Sequence, residues 1–114
     1  MNFIKIGQGD FVKEITTEQL GKEDYILYIH TPFCGTCHMA RTILSQIETV
    51  HQKDLFYEMN ASLHPEFMQE IEIESVPCLL IKKENKIKEK VYVFHSVPNI
   101  YKYLLTYNPA LIAI

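Results

Sequence analysis

The sequence holds no tryptophan, a single arginine, three cysteines, four glycines and five prolines in 114 residues. Three cysteines are too few, and odd in number, for a disulfide-stapled scaffold. So little glycine and proline excludes collagen and Pro/Gly-rich low-complexity chains. No apolar run approaches the roughly 18 residues of a membrane span, and no G-x-G-x-x-G nucleotide fingerprint occurs. Fourteen acidic residues against eleven basic ones leave a formal charge of −3, so no basic field draws the chain to nucleic acid or anionic lipid. The opening Met1-Asn2-Phe3-Ile4-Lys5-Ile6-Gly7 lacks the charged-then-apolar layout of a secretory signal. The expected setting is therefore a reducing cytoplasm, where paired cysteines are usually catalytic or metal-binding.

What is present is ordinary globular composition, 47% hydrophobic and 22% charged. A chain of this length buries roughly two-thirds of its unfolded surface, enough for a core without staples. No repeat or linker divides it, and residues 1–114 read as one domain. Phe3 to Ile6 suggests a first strand, and Thr16 to Leu20, ending at Gly21, a short helix. Asp24 to His30 (DYILYIH) is an apolar run of β-formers stopped by Thr31-Pro32, the pattern of a strand buried on both faces. Ala40, Ile43, Leu44, Ile47 and Val50 then recur at helical spacing, with Arg41, Ser45, Gln46 and Glu48 assigned to the opposite face. Leu55 to Met59 predicts another strand. His64-Pro65 opens a short helix turning Phe67, Met68 and Ile71 inward. Cys78 to Ile81 and Ile87 to Phe94 flank Glu84-Asn85-Lys86 as a hairpin. Ser96 caps a last helix whose stripe is Val97, Ile100, Tyr101, Leu104 and Leu105. The order β-α-β-α-β-α-β-β-α is that of an α/β domain, a central mixed sheet with helices on both faces.

Cys34-Gly35-Thr36-Cys37 falls between the buried strand and the long helix. A helix N-terminus presents unsatisfied N–H groups and about half a positive charge, which favours thiolate over thiol. Cys34 stands at that entrance as the exposed nucleophile. Cys37, three residues on, lies on the same face and is more shielded. Gly35 suggests a tight turn into the helix that lets the sulfurs meet. The arrangement suits thiol–disulfide exchange: Cys34 forms a mixed disulfide with a substrate, and Cys37 displaces the reduced product. Other chemistry fits the same residues less well. Cys34 to His38 satisfies the C-x-x-C-H pattern of haem attachment, but the strand before it and the expected compartment do not suit haem. A metal centre formed by Cys34, Cys37, Cys78 and a histidine is the other alternative, with only one cysteine beyond the pair to supply it.

Pro77, at the start of an apparent strand, is better placed in a turn, since a central-strand proline loses a ladder bond. In the cis form it would leave the Val76 backbone free to pair with an extended substrate chain. His30 to Cys37, Ser75-Val76-Pro77 and the element order together resemble the thioredoxin family. Ile73 to Ile81 and Phe94-His95-Ser96-Val97-Pro98 further resemble the small thioredoxin-like (YtpP-like) proteins of Gram-positive bacteria. The resemblance runs from about residue 10 to residue 107. It implies a thioredoxin fold and a redox-active dithiol at Cys34 and Cys37. It also implies a cis Val76-Pro77 peptide, a substrate surface of Phe33, Gly35, Thr36, Val76 and Pro77, and no cofactor beyond the dithiol. The implied partners are protein disulfides, or mixed disulfides with low-molecular-weight thiols, and a separate reductase as electron donor.

The chain departs from the family pattern at several positions. Phe33 replaces the usual tryptophan, and Thr36 the proline between the cysteines. Tyr28 stands where the family carries a buried aspartate and is too weak an acid to serve as a base near neutral pH. The nearby family lysine falls at Glu58 or Met59, and the docking-loop glycine at Val93 or Phe94. These losses keep open a thioredoxin-fold binding module with little turnover. Cys78, directly after Pro77, is expected near the dithiol, as a buried thiol or an accessory one. His95 lies in the loop expected to dock substrate. Glu66, Glu70, Glu72 and Glu74 read as a solvated acidic face.

Overall fold

The computed structural model describes residues 24–107 and 109–111. The expected strand at residues 3–6 and helix at residues 16–21 lie outside them. Four strands form one sheet: β1 (Tyr25–His30), β2 (Tyr57–Asn60), β3 (Cys78–Lys83) and β4 (Lys86–Val91). Their order is β2-β1-β3-β4. β1 runs parallel to β2 and antiparallel to β3, and β3 is antiparallel to β4. The described part also holds three α-helices, α1 (Gly35–His51), α2 (Pro65–Glu70) and α3 (Val97–Tyr107), and two short 3-10 turns, Ala61–Leu63 and Pro109–Leu111.

β1 lies between β2 and β3, and both its faces are covered, as its apolar run requires. Ile26 and Tyr28 turn to one side, where Ala40, Ile43, Leu44 and Ile47 of α1 and Ile100 and Leu104 of α3 pack against them. Tyr25, Leu27 and Ile29 turn to the other, with Phe67 and Met68 of α2 against that cluster. Helices therefore lie on both faces of a mixed sheet, as the element order predicts. Each such fully buried Leu or Ile contributes about 1.5–3 kcal/mol.

The departures from the expected boundaries have local causes. At 3.6 residues per turn the buried stripe of α1 centres on Ala40, Leu44 and Ile47. Val50 and Glu48 flank that stripe on opposite sides at nearly equal angles, yet Val50 is 67% exposed and Glu48 only 1%. The Glu48 carboxylate accepts hydrogen bonds from the backbone N–H of Leu55 at 2.8 Å and of Phe56 at 3.2 Å. Those two residues are thus held by a side chain rather than by a ladder, and β2 begins only at Tyr57. β4 ends at Val91, opposite Leu79. Two residues before Leu79 stands Pro77, which has no N–H with which to extend the ladder, so Tyr92 to Phe94 leave the sheet. The hairpin turn is Glu84-Asn85, with φ of 55° and 64°; two left-handed residues match the right-handed twist of the strands. Asn99 N–H donates to Ser96 Oγ at 3.3 Å, the expected cap of α3. Leu105, expected in that helix's apolar stripe, is 56% exposed, because it lies about a third of a turn from the Ile100–Leu104 line.

Candidate active site

The apolar strand β1 ends at His30, and Thr31-Pro32-Phe33 carries the chain to the mouth of α1. Cys34 is the N-cap of that helix, in extended backbone with φ −117° and ψ 106°. Its Sγ accepts the N–H of Cys37 at 3.2 Å, and its carbonyl accepts the same N–H at 3.2 Å. The cap position normally held by a serine or aspartate oxygen is thus held by sulfur. Cys34 and Cys37 are joined in a disulfide with their Cα atoms 5.2 Å apart. Cys34 is half-buried and Cys37 buried, the asymmetry expected of an attacking and a resolving thiol. Thr36 Oγ1 lies 3.5 Å from Cys34 Sγ.

The remaining expected site residues are distributed around this pair. Phe33 is 99% exposed. The Val76-Pro77 peptide is cis, and Val76 packs against the same core cluster as Cys34. Gly35 is not demanded by sterics: a Cβ built there meets no atom within 4 Å, and its backbone is not left-handed. The entry into the helix is made by the extended backbone of Cys34, not by glycine freedom. Cys78 departs from expectation. In register with Ile29, it turns to the sheet face opposite the dithiol, among Leu27, Ile29, Met59 and Leu80. Burial pushes its thiol up to about 12, against smaller opposing effects of Lys90 and a hydrogen bond from Tyr92. The four ligands of the metal alternative therefore do not converge; among the described residues no cluster of three or more His, Cys, Asp or Glu side chains has metal-binding geometry. His95 is exposed, its N–H donating to Asn99 Oδ1 at 3.2 Å. Glu66, Glu70, Glu72 and Glu74 are exposed.

A model of the thioredoxin family matches residues 2–104. The chain belongs to the thioredoxin family. The thioredoxin-like protein YusE of Bacillus subtilis is 37% identical over 91 residues, covering 80% of this chain and 86% of its own length. Thioredoxin of Listeria monocytogenes is 31% identical over 85 residues, covering 70% and 82%. Thioredoxin solved structures share the fold. The oxidised mitochondrial thioredoxin 3 of Saccharomyces cerevisiae superposes with a TM-score of 0.62 at 15% identity over 75% of this chain and 80% of its own. A Halobacterium salinarum thioredoxin mutant gives 0.63 at 14% identity over 75% of each. Membership carries with it thiol–disulfide oxidoreductase chemistry in general.

What distinguishes this thioredoxin-family chain lies beneath the dithiol. Tyr28, 1% exposed, donates its hydroxyl to the Cys37 carbonyl at 2.5 Å. Its phenol is pushed well above the ordinary range by burial, with the Glu58 charge adding and the Arg41 charge opposing. Of the two positions that match the family lysine, Glu58 is the one paired with Tyr28 in the parallel register, whereas Met59 joins the opposite core. Glu58 is buried and ion-paired with Arg41 of α1, and His30 Nε2 lies 3.5 Å from its Oε1. Tyr28, His30, Arg41 and Glu58 join both cysteines, Thr31, Pro32 and His38 in lining one cavity of about 270 Å³. Helical spacing alone assigns Arg41 to the polar face of α1, yet its guanidinium reaches the buried Glu58. Two signals pointed inward: it stands four residues after Cys37, hence on the same face, and Glu58 is a carboxylate in a strand of buried residues, which requires a partner.

Proposed function

We propose that this chain is a thioredoxin-like protein disulfide reductase working through the Cys34–Cys37 dithiol. The observation that carries this reading is the Cys34 sulfur at the cap of α1, accepting a backbone N–H at 3.2 Å. A thiolate in that position gains a hydrogen bond and the positive end of the helix, both absent in an unfolded chain. Reduced Cys34 attacks a substrate disulfide and expels one substrate thiolate; Cys37 attacks Cys34 Sγ and expels the second. The enzyme loses two electrons and closes its own disulfide. Phe33 and Val76-Pro77 form the surface against which a substrate chain lies, with Gly35 and Thr36 completing its rim. Substrates are protein disulfides or mixed disulfides with low-molecular-weight thiols. A separate reductase restores the dithiol, and no further cofactor is needed. A cytoplasmic setting suits a reductant whose third cysteine is a free buried thiol. Among the described residues no helix is long and apolar enough to cross a membrane.

The test is reduction of a protein disulfide by the native chain and by Cys34→Ser. Activity in the first and none in the second supports the reading. A native chain that binds such substrates without reducing them would make it a thioredoxin-fold binding module instead. Cys37→Ser traps the mixed disulfide, and the captured proteins name the substrates.

A further inference from the structure

Resolution requires Cys37 to lose its proton as it attacks, and a buried thiol has no bulk water to take it. Tyr28, whose hydroxyl donates to the Cys37 carbonyl, holds its own proton well into the alkaline range. Among the described residues lining the cavity that both cysteines share, Glu58 is the only carboxylate. It is 1% exposed and ion-paired with Arg41, which supplies the countercharge a carboxylate needs in so buried a place. His30, 17% exposed and 3.5 Å from the same carboxylate oxygen, links it toward solvent. The ionisable groups that line this cavity with Glu58 are His30 and Tyr28 from β1, Cys34 at the cap of α1, and Cys37, His38 and Arg41 from α1 itself. The cavity that Cys37 and Glu58 both line, about 270 Å³, is large enough to hold water.

We propose that Glu58 is the proton acceptor for the resolving cysteine. This rests on the dithiol reading above. In the resolving step the Cys37 S–H proton passes to the Glu58 carboxylate, directly or across one water, while the Cys37 sulfur attacks Cys34 Sγ. The Cys37–Cys34 bond forms and the Cys34–substrate sulfur bond breaks. Its electron pair leaves on the substrate thiolate, and the proton held by Glu58 is returned to that thiolate or to solvent. Arg41 acts through Glu58 as a positioning residue, fixing the carboxylate toward the cavity from the turn after Cys37.

Rapid mixing of the reduced protein with Ellman's reagent separates the two steps, since attack by Cys34 releases the first nitrothiobenzoate and resolution by Cys37 the second. For Glu58→Gln the first phase should stay within about twofold, and the second should slow by about a hundredfold at neutral pH, the lower end of what acid–base assistance contributes. The deficit should shrink as alkali ionises Cys37 unaided, and Glu58→Asp should recover part of the rate. A purely structural Glu58 would lower the melting temperature without changing the ratio of the phases or its pH dependence, and equal second phases would overturn the proposal. If Glu58→Gln does not fold, the wild type decides: the Glu58 carboxyl carbon, followed by NMR, should titrate differently in reduced and oxidised protein, and superimposable curves overturn the proposal. Wild type that releases no second nitrothiobenzoate defeats the dithiol reading and Glu58's role with it, whereas equal second phases remove Glu58 alone.

Discussion

Replacing Tyr28 by phenylalanine removes one oxygen atom and little else. The ring is 1% exposed, stacks on His30 at 5.4 Å and meets Phe94 edge-on at 6.4 Å, and all of that packing survives. What is lost is the 2.5 Å hydrogen bond to the Cys37 carbonyl. A neutral hydrogen bond contributes about 1 kcal/mol net, and a buried acceptor deprived of its donor adds a desolvation cost of similar size. The expected loss is therefore about 2 kcal/mol, a urea midpoint lower by about 0.7–2 M. The pH dependence has a definite sign. Burial raises the folded-state pKa of Tyr28 above its ordinary 10.0. Its contribution is therefore complete below that value and declines as pH rises past it, because only the unfolded chain ionises there. Phenylalanine has nothing to ionise, so the gap between wild type and variant should hold constant through neutral pH and narrow above pH 10. Urea unfolding of the oxidised proteins across that range measures it. A variant as stable as wild type at neutral pH, or a gap that widens in alkali, would refute the reasoning.

Other substitutions probe the separate parts of the site and frame. Phe33→Ser should weaken reduction of protein disulfides several-fold while leaving small disulfides unaffected, since the ring is 99% exposed and supports no core; steady-state kinetics on both substrate classes decides it. Gly35→Ala should gain about 0.5 kcal/mol by urea unfolding, because alanine is the better helix former and nothing lies within 4 Å of its Cβ. Glu48→Ala should cost about 3 kcal/mol by thermal or urea unfolding, since it leaves the N–H groups of Leu55 and Phe56 without their carboxylate. Cys78, with its thiol pushed from 9.0 up to about 12, should resist alkylation in the native protein and react only on unfolding; its stabilising contribution should fall as pH rises past about 9, in the same sense as Tyr28.

The sheet and its helices were legible because they obey local periodicities. DYILYIH, rich in β-formers and stopped by Thr31-Pro32, reads as a strand covered on both sides, and Ala40, Leu44 and Ile47 repeat at the helical period whatever surrounds them. Boundaries were less legible because long-range polar contacts set them. Glu48 reads as a solvent-side residue until the N–H groups of Leu55 and Phe56 are known to stand opposite it, and that contact shortens β2. The last turn of α1 repeats the point: counting three residues from Ile47 reaches Val50, but the helical wheel brings His51 inward, where Nε2 lies 2.6 Å from the Tyr101 hydroxyl.

The dithiol divides along the same line. Cys34, Gly35, Thr36 and Cys37 are consecutive, and a helix start is a local event, so the capping sulfur follows from sequence order alone. The groups that govern proton movement under it come from β1, β2 and the second turn of α1, and only the register of Tyr28 with Glu58 brings them together. A tyrosine at position 28, taken alone, reads as the loss of an acid. Placed beside a buried carboxylate and its arginine, it leaves the negative charge on the neighbouring strand and contributes a backbone hydrogen bond in its place. On the Glu58 proposal, the acid of this site stands on β2 in register with Tyr28, and Arg41 from the neighbouring helix supplies the countercharge that keeps it ionised there.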